Sequence, residues 1–194
     1  MKEVLITIIV LVFFNSCKES NEELIDRAIS YKMQGKFAEA ISIYTDIINK
    51  NSKLQVPYYN RGLCYVEVND FSKALADFNK VMSLQEIGSF RFTYNEESPL
   101  ASEVARAQVP YNDALYQRAQ VLCNMDSIKS SYRDFRVLVD ENYEKSNCLL
   151  WQGILWIKGG DKKKACNLFN QAKKFALNEQ DLEEANKFIT EYCK

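Results

Sequence analysis

The sequence predicts an all-α chain of stacked helical hairpins. Three observations point there: few helix breakers, no sustained period-2 alternation, and small and aromatic residues that recur every 34 positions. Six glycines and three prolines among 194 residues leave long runs of Ala, Leu, Glu, Lys and Gln, side chains that lose little freedom in a helix. The length suits one domain with a continuous core.

Residues 1–16 read as an export signal. Lys2 precedes an apolar run from Val4 to Phe14, and Asn15-Ser16-Cys17 follows. That run makes about 16 Å of helix, roughly half a bilayer's hydrocarbon thickness, which fits a signal-peptide core and not a membrane span. A cysteine behind a small residue at this place resembles the lipobox of bacterial lipoproteins, although Phe14 and Asn15 depart from its usual Leu-like and small residues. The resemblance implies a lipidated Cys17 as the first mature residue, residues 17–20 as a short linker, and a location in the cell envelope, anchored to the outer membrane at its periplasmic or outer face. Ser20-Asn21-Glu22-Glu23 has the form of a capping box opening a first helix.

Beyond it, Tyr31, Gly35, Phe37, Ala40 and Tyr44 recur 34 residues later as Tyr65, Asn69, Phe71, Ala74 and Phe78. Ala28 and Gly62 in first helices, with Ala40 and Ala74 in second helices, are expected to let the two helices of a hairpin approach closely. The aromatic residues are expected to fill the space between units. Leu115, Ala119, Leu122, Ser131 and Phe135 correspond at the same spacing to Leu149, Gly153, Trp156, Ala165 and Phe169. The phase slips between the halves, which predicts an insertion of about 23 residues. Its span, about 86–110, holds Ser89–Tyr94, alternating like a short strand, and a short helical stretch through Val104. It is either a contact site or a flap with its aromatics turned inward.

These four units, about 21–54, 55–88, 112–145 and 146–179, resemble tetratricopeptide repeats. Unit three departs from the pattern with Ser131 at a small-residue place and Asp126 at the turn, and unit four with Lys162 where an aromatic is usual. The resemblance implies a right-handed superhelix of hairpins, closed by a capping helix over 180–193. That helix carries Leu182, Ala185, Phe188, Ile189 and Tyr192 on one stripe.

The family also implies a concave groove on the first helices that binds a protein or peptide. Its places fall on Ile25, Ile29 and Lys32, then on Tyr59, Asn60, Leu63 and Glu67. In the second half they fall on Tyr116, Gln117, Gln120 and Asn124, and on Leu150, Trp151, Ile154 and Lys158. Amides there can pair with an extended backbone while Tyr and Trp supply contact area. Only Asn60 stands at a place of the lysine-asparagine clamp with which some members hold a C-terminal carboxylate, so that activity is not expected. An alternative occupant is a glycan or nutrient, with the chain an accessory lipoprotein of an outer-membrane importer and Tyr59, Tyr116 and Trp151 stacking on a sugar ring.

Other classes lack parts. The chain has no histidine, which removes the commonest proton-transfer and metal-binding side chain, and no CxxC spacing. No catalytic residue, metal or cofactor is expected. A net charge of -1 gives no global reason to bind nucleic acid. Asp161-Lys162-Lys163-Lys164 with Lys173 and Lys174 is either a solvated helix face or a patch for lipid headgroups or an acidic partner. Cys64, Cys123, Cys148, Cys166 and Cys193 are odd in number; an oxidising compartment permits a bridge, and Cys166 with Cys193 is the pair to test.

Overall fold

The structure is a computed structural model. It describes residues 19–88 and 108–193, for 85–88 the backbone alone. The expected export signal, Cys17 and most of the expected insertion, including its strand and short helix, lie outside the described residues. Among the described residues there are nine helices and no strand. They are α1 (Asn21–Met33), α2 (Phe37–Lys50), α3 (Gln55–Glu67), α4 (Phe71–Gly88), α5 (Tyr111–Asn124), α6 (Ile128–Asp140), α7 (Lys145–Lys158), α8 (Lys162–Phe175) and α9 (Glu179–Tyr192).

Each helix packs on the next in chain order, and the alternate pairs α1 with α3, α3 with α5, and α7 with α9 also touch. Such contacts make a row of hairpins with their first helices side by side, the tetratricopeptide-type stack. Helix α4 continues to Gly88, past residue 86 where the insertion was expected to begin, and still packs directly on α5. The chain returns at Val109, which is buried and donates its N–H to Gln55 Oε1 at 3.0 Å.

The four turns inside the hairpins share one construction. Gly35, Asn69, Asp126 and Gly160 adopt φ of 72°, 59°, 53° and 81°. In each case the N–H of the following residue donates back to a carbonyl of the helix just ended, on Tyr31, Tyr65, Leu122 and Trp156 respectively, at 2.8 to 2.9 Å. Left-handed backbone closes a helix this way at little cost for Gly, and Asn and Asp tolerate it better than other side chains. At the chain's entry Ser20 and Glu23 form the predicted capping box, which holds the Glu23 carboxyl below its ordinary pKa through the Ser20 backbone and hydroxyl.

Ala28, Ala40, Ala74, Ala119 and Ala165 are fully buried, as are Tyr44, Phe78, Phe135 and Phe169. The aromatics do more than fill the space between units: Phe78 lies over Gly62 of its own hairpin, and Phe169 over Gly153. Ser131 keeps the role of a small residue because its buried hydroxyl donates to the Ala119 carbonyl of the facing helix at 2.8 Å. The Cys166–Cys193 bridge is formed, with the Cα atoms 5.6 Å apart, and it ties the end of α9 to α8. No described helix is long and apolar enough to cross a membrane.

Candidate functional site

The groove positions belong to α1, α3, α5 and α7, and α9 extends the same row. Residues i and i+4 share a helix face, so each helix offers the row two or three side chains per pair of turns. Tyr116 and Gln120 from α5, with Leu150, Trp151 and Ile154 from α7, converge on one hollow of about 320 Å³. Its remaining wall consists of Asn147 of α7 and Glu184 and Phe188 of α9.

The hollow's rings are fixed by what lies behind them. Trp151 stacks on the buried Phe135 ring, centroids 5.8 Å apart and planes 5° from parallel, and Tyr116 meets the same ring edge-on at 5.9 Å. Phe188 stacks on Phe169 at 5.2 Å. Burial pushes the Tyr116 hydroxyl up to about 12 against the opposing influence of the Trp151 indole, and the carboxylates of Glu144 and Glu184 push the same way as burial. Glu184 itself is exposed and has no ion-pair partner among the described residues. A rigid aromatic floor thus carries one unpaired carboxylate at its edge.

The other groove positions do different work. Tyr59 packs edge-on against Phe78 at 5.9 Å, and the Gln117 side chain of α5 is near enough to act on its hydroxyl. Burial, followed by the Asp113 carboxylate, raises the Tyr59 hydroxyl above its ordinary pKa. Asn60 accepts from Lys32 Nζ at 2.7 Å and donates to the Val56 carbonyl at 3.1 Å, which leaves its amide little capacity for a peptide backbone. Leu63 packs inward against the Ala74, Phe78 and Val121 cluster, and Ile25 against the Leu24, Ala28 and Tyr44 cluster. Ile29 is half-buried, whereas Glu67 and Asn124 are exposed and outside the hollow. Lys158 closes the end of α5 by donating to the Cys123 carbonyl at 3.0 Å and to Asp126 at 2.7 Å.

Asn147, Glu184 and Phe188 were not among the sequence-predicted positions. The signal for two of them is the repeat phase itself, because Glu184 and Phe188 follow Leu150 and Ile154 by 34 residues. The terminal helix was read only as a cap.

Two buried ion pairs also went unread. Arg61 makes a two-pronged contact with Asp77 at 2.8 and 2.7 Å, and Arg118 with Asp134 at 2.8 Å in both prongs. Each joins the two helices of one hairpin, and Arg118 and Asp134 line a separate hollow with Leu75, Asn79 and Arg133. The basic run is partly engaged, since Lys164 pairs with Asp161 at 3.0 Å and lies 4.1 Å from the Trp156 ring centroid. Among the described residues no three Cys, Asp or Glu converge as metal ligands.

Two segments, residues 24–53 and 147–176, match the tetratricopeptide repeat family model. They coincide with the α1–α2 and α7–α8 hairpins. Among solved structures, the chain is similar to MamA 41-end from Desulfovibrio magneticus RS-1. That match has a TM-score of 0.64 and 13% identity, covering 89% of this chain and 93% of the other. MamA MSR-1 C2 superposes with a TM-score of 0.62 at 14% identity, over 84% of this chain and 80% of that one. At such identities the likeness concerns the fold.

Proposed function

We propose that this chain is a non-catalytic adaptor that holds a protein or peptide segment along its first-helix face, tethered in the cell envelope by lipid on Cys17. The observation that carries the binding half is the Tyr116–Trp151 hollow. Five groove positions named from the repeat phase converge there, on rings held rigid by the core. Rigid aromatics supply contact area at low entropic cost, and the Gln120 and Asn147 amides beside them can pair with main-chain groups. The envelope half is supported by the signal-like run Val4–Phe14 and the cysteine that follows it.

A photoreactive residue at Gln120 or Asn124 in living cells tests the binding half. The expected outcome is a discrete crosslinked protein band that disappears when the hollow is blocked by Leu150→Trp. Crosslinks equal in yield to those from the far side, at Arg133, would sink the reading. Metabolic labelling with a palmitate analogue, lost on Cys17→Ala, tests the anchor separately.

A further inference from the structure

The hollow between α5, α7 and α9 has a composition that selects more narrowly than a generic peptide groove does. Its floor is aromatic, with Tyr116, Trp151 and Phe188 each backed by a core ring. Among the described residues, the one ionisable group in its lining other than a phenol is the Glu184 carboxylate, and no lysine or arginine lines it. Elsewhere on the described groove face, cations are already engaged: Lys32 with Asn60, and Lys158 with Asp126. The nearby carboxylates that act on the Tyr116 hydroxyl, Glu144 and Glu184, add negative potential to the same space. Glu144 is partly engaged at the start of α7, accepting from Asn147 Nδ2 at 3.1 Å. Asp113 accepts from the Tyr143 hydroxyl at 2.6 Å. Of these carboxylates, Glu184 is the one that lines the hollow without a partner among the described residues.

We infer that the hollow is the specificity pocket of the groove and that it takes an arginine side chain of the bound protein segment. Its guanidinium lies on the aromatic floor and pairs with Glu184, while the Gln120 and Asn147 amide oxygens accept its remaining donors. This inference rests on the peptide-binding reading of the same face. Arginine fits better than lysine because a flat, weakly hydrated cation stacks on a ring and offers a planar fork to a carboxylate at once. An acidic segment would place like charge beside Glu184 and Glu144. A neutral one would leave Glu184 partly desolvated without a partner, and either arrangement is unfavourable. The volume of about 320 Å³ is ample for one long side chain.

The test uses the full chain and four capped tripeptides, identical except for a central arginine, lysine, citrulline or glutamate. The readout is the indole N–H resonance of Trp151, distinguished from that of Trp156 by a Trp156→Phe variant. The arginine peptide is expected to shift it saturably, citrulline to bind about tenfold more weakly, and glutamate not at all. Glu184→Gln is expected to reduce arginine binding to the citrulline level. Because Glu184 is exposed and unpaired, its substitution leaves the helical circular dichroism and the melting temperature unchanged. Equal affinity for arginine and citrulline, or arginine binding untouched by Glu184→Gln, overturns the pocket assignment and leaves the groove reading standing. No Trp151 shift with any peptide overturns it too, and the Gln120 crosslinking experiment then decides the groove reading by itself.

Discussion

The Phe169 ring of α8 lies over the bare Cα of Gly153 in α7, so near that a methyl group added there overlaps three ring atoms. Gly62 stands in the same relation to Phe78, where an added Cβ would come within 2.8 Å of Cε1. In an open helix, Gly to Ala gains about 1 kcal/mol. Overpacking a filled core costs roughly 1 to 3 kcal/mol, so both exchanges are expected to destabilise. Gly153→Ala should lower the urea midpoint more than Gly62→Ala, because it meets more of the ring at shorter range. Phe169→Leu added to Gly153→Ala should recover part of the loss. A midpoint that rises in either single variant would show that the rings move aside freely.

Arg61 and Asp77 form a pair that is more costly to break than to remove. The two side chains are 15% and 6% exposed. Burial raises the Asp77 carboxyl above its ordinary pKa, with the Arg61 hydrogen bonds and charge opposing the rise. Arg61→Ala leaves a buried carboxylate alone and should cost roughly 3 kcal/mol at neutral pH. Replacing both by Leu and Met is expected to cost much less. With the folded-state pKa raised further, the stability of Arg61→Ala should be highest below the unfolded value and fall as pH rises through the folded one. Chemical denaturation at pH 4 and pH 7 checks that sign. A loss equal at both would assign the effect to Arg61 packing on Tyr58 and Tyr65 instead.

These pairs explain why the architecture was more legible than the site. Periodicity is imposed by packing: the places of Ala28, Gly62, Ala119 and Gly153 admit only small residues in every hairpin, so they recur and can be found. The Arg61 and Asp77 places carry no such constraint. Their counterparts are Arg27 and Ile43 in the first hairpin and Gln152 and Leu168 in the fourth, and Arg27 turns instead to Glu19 at 2.7 Å. The hollow was half legible for the same reason. Its α5 and α7 walls followed largely from the phase, whereas Lys32 offered no sign that it would be spent on Asn60. Such pairing depends on how far apart neighbouring helices come to rest, and residue type does not report that distance.

Tyr44 is fully buried, and among the described residues its hydroxyl has no hydrogen-bond partner. An unpaired buried hydroxyl costs about 1 to 3 kcal/mol in desolvation. Tyr44→Phe keeps the ring and removes the polar atom, so it should be neutral or raise the melting temperature. A clear fall in thermal denaturation would reveal a partner for that oxygen.

Alkaline pH should weaken the fold through its thiols. Burial pushes Cys64 up to about 11 and Cys148 up to about 12, and raises Cys123 as well. Below the ordinary thiol pKa these groups are neutral in both states. Above it the unfolded chain ionises first, so stability declines as pH rises from about 9 through 11, by roughly 1.4 kcal/mol per unit for each thiol held neutral. Urea midpoints from pH 8 to 10.5 should fall accordingly, and less steeply in Cys148→Ala. The same thiols should resist iodoacetamide at pH 8 until the chain unfolds.

The Cys166–Cys193 bridge should govern the hollow as well as the stability. It closes a loop of sequence separation 27, which by chain entropy contributes about 3.5 kcal/mol. Its position matters more than that figure, because Cys193 caps the C-terminal end of α9, the helix that supplies Glu184 and Phe188. Apart from the bridge, α9 is held by Ala185, which is buried, and by the half-buried Phe188, Ile189 and Tyr192 against α8. A terminal helix with one fully buried side chain opens locally more readily than the helices inside the stack. Reduction, or Cys193→Ser, is therefore expected to speed amide exchange in α9 well before any other helix. It should also weaken the arginine-peptide shift at Trp151 while α1 to α6 retain full protection. Hydrogen exchange with and without reductant reads both. Uniform loss of protection would make the bridge a staple for the whole stack, and unchanged exchange in α9 would show that side-chain packing alone sets the pocket's third wall.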